Sequence, residues 1–303
     1  MAIENAVHVN ECGLPLNAIE WLVTHHQSKL VERERMIQDL HLKDGARVVD
    51  AGCGPGLWSP LLARAIGSRG RIIGVDLSAE ALVTARQRGR DQWYEGRVKY
   101  KQSSMEHLPV ASGSVHTIFS ANVSQYLPEP VETFATLGRY LLPGGQLVIK
   151  DIDFGTLRFS GIDPALQARV FQARAQWEDV RVSQEYAFED SWVGSKLAGY
   201  LRAAGYEDVQ EKVYTIVRQA PLAPDFRAYL QGIGSWFICE GAPFLAQADV
   251  RSWLRCFVDG EQCVLDQTLF HYEEKEYMVT GRWPSKPSRR SFDMHLTLLK
   301  TGK

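Results

Sequence analysis

VVDAGCGPGLW, residues 48–58, carries the strongest structural signal in this sequence of 303 residues. An apolar, β-branched run leads into Asp50, and Gly52, Gly54 and Gly56 then alternate before a helix-like pattern begins. Glycines at these positions permit a tight turn and let a ligand approach the backbone, because no Cβ stands in the way. The stretch therefore predicts a strand, a ligand-binding loop and a helix in direct succession.

The glycine spacing excludes two common nucleotide-binding loops, and a second acidic residue indicates which kind of ligand the loop binds. The dinucleotide fingerprint GxGxxG would require glycine where Leu57 stands, and the phosphate-binding pattern GxxxxGK[ST] is absent. Asp76 ends the next strand-like run, 20 residues after Gly56, at a place where a carboxylate can accept hydrogen bonds from ribose hydroxyls. The loop and this acid together indicate a ligand that contains ribose.

Strand-like and helix-like segments alternate along the chain on both sides of the loop. Short, largely apolar, β-branched runs occur at 46–52, 71–78, 97–104, 116–123 and 146–153. Such runs are typical of strands buried on both faces of a parallel sheet, and the stretches between them carry helix-capping Ser and Gly. The alternation predicts a doubly wound α/β sheet, and two later runs, 209–217 and 276–283, predict further strands.

Three regions outside the alternating pattern are interpreted as a lid, a cap and a tail. Residues 1–44 are helical in pattern and predict an N-terminal lid. Seven positions spaced by three or four share one face of it: Ile19, Val23, His26, Leu30, Arg33, Ile37 and Leu40. Residues 219–268 are too rich in large apolar side chains for a linker and predict a helical cap. The core would then comprise 45–218 and 269–284, followed by a tail at 285–303.

Composition excludes several classes of protein. The chain is 45% hydrophobic and 23% charged, with a formal net charge of −2, so disordered and fibrous classes are excluded and a long nucleic-acid footprint is disfavoured. No apolar run reaches the roughly 20 residues of a membrane span, and the N-terminus lacks the features of a secretion signal. The five cysteines are scattered and odd in number, which predicts reduced thiols, no metal site and a soluble, cytoplasmic protein.

Five segments occur in an order that is known from one enzyme family. They are VVDAGCGPG, GVDLS, SSMEHLP, HTIFSANVSQYLPEP and LLPGGQLVIKDID. They resemble the motifs of class I S-adenosylmethionine-dependent methyltransferases, and most of all the small-molecule branch that includes ubiquinone-biosynthesis methyltransferases. The resemblance covers about 45–155 and the late strands. It implies a Rossmann-like, seven-stranded sheet, mostly parallel with an antiparallel last strand, whose carboxyl edge binds the ligands under the lid and the cap.

The resemblance implies S-adenosylmethionine as the cofactor and assigns residues to it. The glycine loop would hold the methionine half, Asp76 would bind the ribose, and Leu77 would lie against the adenine. The implied cofactor residues are Asp50, Gly52, Cys53, Gly54, Gly56, Asp76, Leu77, Ser104, Met105, Ala121 and Asn122. Arg33, on the same face of the lid helix as His26, is a further candidate that could meet the carboxylate of the cofactor, with a surface ion pair as the alternative. Relatives usually carry an acid where Ser104 stands, so the hydrogen bond to the adenine amine would lack charge assistance.

Candidates for chemistry and for acceptor binding are fewer. Methyl transfer to oxygen or nitrogen usually requires removal of a proton, and His26 and His25 on the lid helix have ordinary pKa values suited to a base near neutral pH. His26 is equally well explained as a packed side chain, and His25 is expected to face solvent. The candidate walls of the acceptor pocket are Trp58, Gln125, Tyr126 and Trp236.

The sequence thus predicts an enzyme that methylates a small, hydrophobic or aromatic metabolite at oxygen, nitrogen or carbon. Two alternatives stay open at this stage. One is a methyltransferase acting on protein or nucleic acid, and the other is a methyltransferase fold that serves as a cyclase, a rearrangement catalyst or a binding module. The expected partner is a small molecule, without nucleic acid or a membrane span. The oligomeric state is left open, with a homodimer among the candidates.

Overall fold

The computed structural model of the protein describes residues 18–183, 190–258, 260–261 and 263–285. Within this part of the chain, eight strands form one sheet. They are β1 (Arg47–Ala51), β2 (Arg71–Asp76), β3 (Val98–Gln102), β4 (Val115–Ala121), β5 (Leu141–Ile152), β6 (Arg158–Phe159), β7 (Glu207–Gln219) and β8 (His271–Arg282). The order is β3-β2-β1-β4-β5-β8-β6, and β7 pairs along the free side of β8.

The direction of the strands confirms the predicted fold class. β1 to β5 are mutually parallel, whereas β8 runs antiparallel to β5, β6 and β7. The strand order reverses between β1 and β4, and ligands of doubly wound sheets bind outside the carboxyl ends of the strands at such a point. The sheet differs from the prediction by the two-residue strand β6, which is too short to leave a periodic pattern in the sequence.

Nine helices, among the described residues, cover the sheet and its carboxyl edge. They are α1 (Ile19–Ser28), α2 (Leu30–Asp39), α3 (Ser59–Ala65), α4 (Ala79–Gly89), α5 (Pro130–Gly138), α6 (Pro164–Ser183), α7 (Leu197–Ala203), α8 (Pro224–Gly241) and α9 (Gln247–Phe257). α4 begins where the sequence predicted, because the Ser78 hydroxyl accepts a hydrogen bond from the Ala81 N–H at 3.1 Å.

The N-terminal segment is two helices rather than one, which corrects the predicted single stripe. Lys29 has φ −127° and ψ 21°, outside the helical region, and separates α1 from α2. The break disrupts the shared face: His26 and Arg33 are buried, whereas Leu30 is 39% exposed. The physical reason is the position of the Lys29 side chain, whose ammonium reaches carboxylates of β8 inside the protein.

The cap lies between β7 and β8, and its aromatic side chains are buried in an apolar cluster that they share with other elements. Phe226, Tyr229, Trp236 and Trp253 are each at most 1% exposed and belong to one apolar cluster with residues of α6 and β8. The cap is therefore stabilised by packing on α6 and β8, and these rings are not free walls of a pocket.

Some of the remaining predictions concern residues outside the described ranges, and others can be compared with the structure. The beginning of the predicted lid and the tail beyond Ser285 lie outside them, so those boundaries stay predictions. No helix among the described residues is long and apolar enough to cross a membrane. Cys53, Cys256 and Cys263 are free thiols, but Cys239 is disulfide-bonded, contrary to the expectation of reduced thiols.

Packing inside the cap can be tested at a glycine. A Cβ added at Gly234 in α8 would lie 2.4 Å from the Phe257 ring of α9, which is itself buried. We expect Gly234→Ala to lower the free energy of unfolding by about 1–3 kcal/mol, because the buried ring has little room to move. Gly199→Ala is the control: that Cβ meets open space in α7, and a gain of about 0.5–1 kcal/mol is expected in urea unfolding. Equal effects of the two substitutions would contradict this account.

Candidate active site

The glycine loop after β1 has a backbone that only glycine adopts without strain. Gly52, Gly54 and Gly56 have φ values of +76°, +50° and +74°, in the left-handed region. A Cβ at Gly52 would lie 2.3 Å from a methyl carbon of Val123, and one at Gly56 would lie 2.6 Å from the hydroxyl of Tyr100. The loop therefore packs closely against neighbouring elements. Because it has no side chains at these glycines, its backbone is what faces a ligand at the ends of the strands.

The predicted ribose acid is bound to this loop. Asp76 Oδ2 accepts a hydrogen bond from the Gly54 N–H at 2.7 Å, and its Oδ1 accepts one from the Ser78 N–H at 2.9 Å. Each carboxylate oxygen has two acceptor positions, so both oxygens can accept further hydrogen bonds. Burial raises the pKa of Asp76, although the backbone donors oppose the shift. The structure thus brings Asp76 and the glycine loop into direct contact.

Asp50, at the end of β1, is the most perturbed acid of the loop. Its carboxyl group is 1% exposed, and its Oδ2 atom has no hydrogen-bond partner among the described residues. Burial, and after it the charge of Asp76, raises the pKa of Asp50 to about 8. Burial also raises the pKa of the Cys53 thiol far above its ordinary value, so this cysteine stays protonated and is no nucleophile.

The remaining predicted cofactor residues surround the same strand ends. Leu77 is 55% exposed, directly after Asp76, which fits a surface for a flat ring. Ser104 is half-buried, and its hydroxyl lies 3.3 Å from Nδ1 of His107, whereas Met105 is packed into the core. Ala121 ends β4 and is buried.

Asn122 follows β4 in a left-handed conformation with φ +59°, which is uncommon outside glycine. The backbone turn directs its side chain toward β5, where its Oδ1 accepts a hydrogen bond from Lys150 Nζ at 2.8 Å. Lys150 Nζ also lies 2.8 Å from Glu276 Oε1 on β8. The end of β4 is thereby connected to charged groups in the interior.

These groups form what we term the buried charge cluster: Lys29, Arg33, Lys150, Glu274 and Glu276, each at most 2% exposed. Lys29 contacts both carboxylates, Glu274 closely and Glu276 at 3.2 Å. Burial alone would raise the pKa of Glu276, but Lys150 and Lys29 hold it well below its ordinary value. Burial lowers the pKa of Lys150 to about 8.

The hydroxyl groups of the cap complete the cluster. Tyr229 of α8 accepts a hydrogen bond from Lys29 Nζ at 2.9 Å and donates one to Glu274 Oε2 at 2.8 Å. Tyr272 of β8 donates to the same carboxylate oxygen at 2.6 Å. Buried charges are tolerated only when they are paired and hydrogen-bonded, and these contacts satisfy that condition for Glu274.

The geometry does not prepare either predicted histidine as a base. Arg33 Nη1 lies 2.6 Å from His26 Nδ1, and since a guanidinium only donates, Nδ1 accepts and the ring proton of the neutral form is on Nε2. Burial, and then the charge of Arg33, lowers the pKa of His26 to about 2. His25 is buried rather than exposed, which corrects the expectation that it faces solvent. Its Nε2 lies 3.1 Å from Lys29 Nζ, and burial lowers its pKa well below the ordinary value.

The four predicted wall residues fall into two groups. Trp58 follows the glycine loop, its ring contacts His26 edge-on, and the Arg33 guanidinium carbon lies 5.1 Å from its centroid. Gln125 and Tyr126 follow Asn122 in a single helical turn. Trp236, in contrast, is in the core of the cap, 4.5 Å from the Phe154 ring between centroids, so the structure gives it a packing role.

The sequence analysis missed most of the buried charge cluster. Lys150, Glu274 and Glu276 interrupt strand patterns that are otherwise apolar on one face, which is the signal that could have identified them. Alternation along β8 makes it clear: Tyr272, Glu274, Glu276 and Met278 face the interior, and two of the four are acids. Lys29 left no such signal, because its position depends on the break between α1 and α2.

Comparison with known proteins agrees with the motifs. A model of a family described as a methyltransferase domain matches residues 42–220. Methyltransferase GfsG of Streptomyces halstedii is 33% identical over 119 residues, which is 39% of this chain and 42% of that protein. The ubiquinone/menaquinone biosynthesis C-methyltransferase UbiE of Legionella pneumophila (strain Corby) is 28% identical over 149 residues, 49% of this chain and 57% of that protein. The chain thus spans about half the length of these relatives.

Solved structures support the fold independently. The YcgJ protein of Bacillus subtilis superposes with a TM-score of 0.51 at 19% identity, covering 86% of this chain and all of that one. Phosphoethanolamine N-methyltransferase 2 of Haemonchus contortus gives a TM-score of 0.52 at 16% identity and covers 89% of this chain and 60% of its own. These likenesses confirm the Rossmann-like sheet, and the family match confirms the resemblance read from the motifs.

The state of His26 has a measurable effect on stability. Its pKa in the folded protein lies below the ordinary value of about 6.5, so the unfolded chain binds more protons as the pH falls. The free energy of unfolding therefore falls by up to about 1.4 kcal/mol for each pH unit below about 6.5. We expect His26→Gln, whose amide oxygen can still accept from Arg33, to lose less stability than the wild type between about pH 7 and about pH 5 in urea unfolding.

The control for that substitution is an exposed histidine. His107→Gln should follow the wild-type pH dependence, because this side chain is on the surface. If the wild type and His26→Gln lose stability in parallel as the pH falls, the inferred state of His26 is wrong.

Proposed function

Because the chain belongs to the methyltransferase domain family, we propose that it transfers a methyl group from S-adenosylmethionine to a small metabolite. The observation that carries this proposal is the contact between the left-handed glycine loop and Asp76 at the reversal point of the sheet. That contact combines an open backbone surface with a carboxylate that can accept hydrogen bonds from ribose hydroxyls.

The residues present fit this cofactor at three places. Arg33 is 2% exposed, and its Nε and Nη2 atoms have no hydrogen-bond partner among the described residues, so the guanidinium is prepared for a carboxylate such as that of the methionine half. The unpartnered Oδ2 of Asp50 suits a cationic group of the same half. Exposed Leu77 offers an apolar face to the adenine beyond Asp76.

The chemistry of the cofactor determines what the protein must do. When bound, S-adenosylmethionine supplies a methyl group whose bond to sulfur breaks, with its electron pair kept by sulfur, as a lone pair of the acceptor forms the new bond. The protein contributes by holding the acceptor in line and by excluding water. We expect Asn122 and Ala121, at the end of β4, to contact the reacting groups. α1 covers the glycine loop, with a methyl carbon of Leu22 3.8 Å from the position of a Cβ at Gly54.

The proposal is tested by following the methyl group. Purified protein with methyl-labelled S-adenosylmethionine and fractionated lysate of the source organism should place the label in a small, extractable compound. Asp76→Ala should weaken binding of S-adenosylhomocysteine by about 10- to 100-fold in calorimetry, because charge-assisted hydrogen bonds are lost. Asp44→Ala, an exposed acid before β1, is the control and should bind as the wild type does. Label in protein or nucleic acid, or unchanged affinity of Asp76→Ala, would contradict the proposal.

Binding of the cofactor should also depend on pH through Asp50. Its pKa of about 8 means that the carboxyl group is mostly protonated at neutral pH, and a cationic ligand favours the carboxylate. Binding therefore releases a proton below about pH 8, and the affinity for S-adenosylhomocysteine, which carries an amino group, should rise up to tenfold per pH unit toward that value. In Asp50→Asn the slope should disappear. Calorimetry in two buffers of different ionisation enthalpy measures the released proton, and an affinity independent of pH in the wild type would refute this role.

A further inference from the structure

We propose that Lys150 is a positioning residue that fixes the Asn122 amide as a hydrogen-bond donor, and that the site thereby selects an acceptor with a negatively charged oxygen over an amine. The inference rests on the proposed function, because it concerns the acceptor of the same site. Four observations carry it: the polarity of one hydrogen bond, the rigidity of the lysine, the pairing of charges in the cluster and the state of the histidines.

The polarity of the contact between Lys150 and Asn122 follows from the protonation of the lysine, which is an ammonium group below about pH 8. An ammonium group has three donors and no acceptor, so the atom of Asn122 that lies 2.8 Å from Nζ must be the carbonyl oxygen of the amide. The NH2 group is then on the side of the amide that faces away from Lys150. Since Asn122 is half-buried whereas Lys150 is fully buried, that side is the one nearer the open end of β4.

Lys150 has no freedom to release the amide. Its side chain is 0% exposed, and Nζ is held at the same time by Glu276 Oε1 at 2.8 Å. Both residues are on strands that pair along seven positions, Gln146 to Ile152 of β5 with Glu276 to Arg282 of β8, so the backbone separation is fixed as well. A group locked in this way keeps its orientation during a reaction, which is the condition for a preorganised donor.

The charges around Lys150 are paired once the guanidinium of Arg33 is assigned to the carboxylate of the cofactor. Lys29 and Lys150 contact two carboxylates, Glu274 and Glu276, and all four side chains are buried. His25, His26, Tyr229 and Tyr272 face these groups from α1, α8 and β8 with pKa values shifted toward the neutral form by burial, and burial raises the pKa of the adjacent Asp151 to about 7. The Lys150 ammonium therefore acts through Asn122, because it polarises the amide carbonyl and strengthens the NH2 group as a donor to an anionic oxygen.

The state of the histidines determines where the acceptor proton goes. Neither His26 nor His25 is arranged to take a proton from the acceptor. The ring nitrogen that carries the lone pair already accepts a hydrogen bond, from Arg33 in His26 and from Lys29 in His25. An acceptor whose hydroxyl or enol group ionises by itself, with its proton leaving to solvent before the transfer, needs no such base. Transfer to an amine instead requires a hydrogen-bond acceptor on the protein and forms a cationic product beside Lys150.

The test uses two probes of the same shape and needs no turnover. The full chain, saturated with S-adenosylhomocysteine, is titrated with 4-nitrophenol, whose anion absorbs visible light, and separately with 4-nitroaniline. We expect the phenol to bind at least about tenfold more tightly than the aniline, and its ionisation to shift down by about one pH unit on the protein, as for an acid whose anion accepts a hydrogen bond from a polarised donor.

Two variants and one control locate the effect. Lys150→Met should abolish the shift in ionisation, and Lys150→Arg, which keeps the charge and the donors, should retain most of it. Asn122→Asp replaces the donor with an acceptor of the same shape and should reverse the preference of the two probes. Lys99→Met, an exposed lysine on β3, should behave as the wild type does. Folding of each variant is checked by circular dichroism and by urea unfolding.

The outcomes separate this inference from the proposed function. An aniline that binds as tightly as the phenol, or an ionisation that does not shift on the wild-type protein, would overturn the role of Lys150, whatever the methyl label does. Unchanged probe binding by Asn122→Asp would overturn it as well and does not depend on the folding of the Lys150 variants. The proposed function fails on other evidence, which is loss of cofactor binding or label in a macromolecule.

Discussion

The carboxylate of Glu276 is the interaction on which the arrangement of this protein depends. It is fully buried and lies within 3.2 Å of two ammonium groups, Lys150 of β5 and Lys29 between α1 and α2. A buried carboxylate of this kind is stable only while its partners stay in place, so it holds the N-terminal helices, the middle of the sheet and the late strand in one register. The break in the lid, the orientation of Asn122 and the contact to the cap all follow from satisfying these charges.

The central sheet could be predicted because its signals are local. The runs that became β1, β2 and β4 are apolar on both faces, and the loop after β1 has glycines where the backbone is left-handed. These features depend on neighbours in the sequence, so periodicity and turn chemistry are sufficient to read them. The proximity of Asp76 to the glycine loop could be predicted for the same reason, since both follow strand ends.

The buried charge cluster could not be predicted in this way. Lys29, Lys150 and Glu276 are more than 100 residues apart from one another, and no local pattern states that they meet. Burial also changes the chemical role of residues that the sequence singles out as candidates. A histidine in water is a base near neutral pH, but His26 beside a buried guanidinium is a hydrogen-bond acceptor with its pKa near 2. The role of Trp236 could not be predicted either, because the core of a cap and the wall of a pocket are both rich in aromatic residues.

The position of β8 between β5 and β7 affects the order in which the sheet can form during synthesis. β8 is made after both of its neighbours, yet it supplies Glu274 and Glu276 and pairs with each of them over at least seven positions. While the chain is being synthesised, the earlier strands and the lid lysine are present without the carboxylates that neutralise them. The nascent protein therefore has an open seam between β5 and β7, and this seam closes only when β8 is inserted.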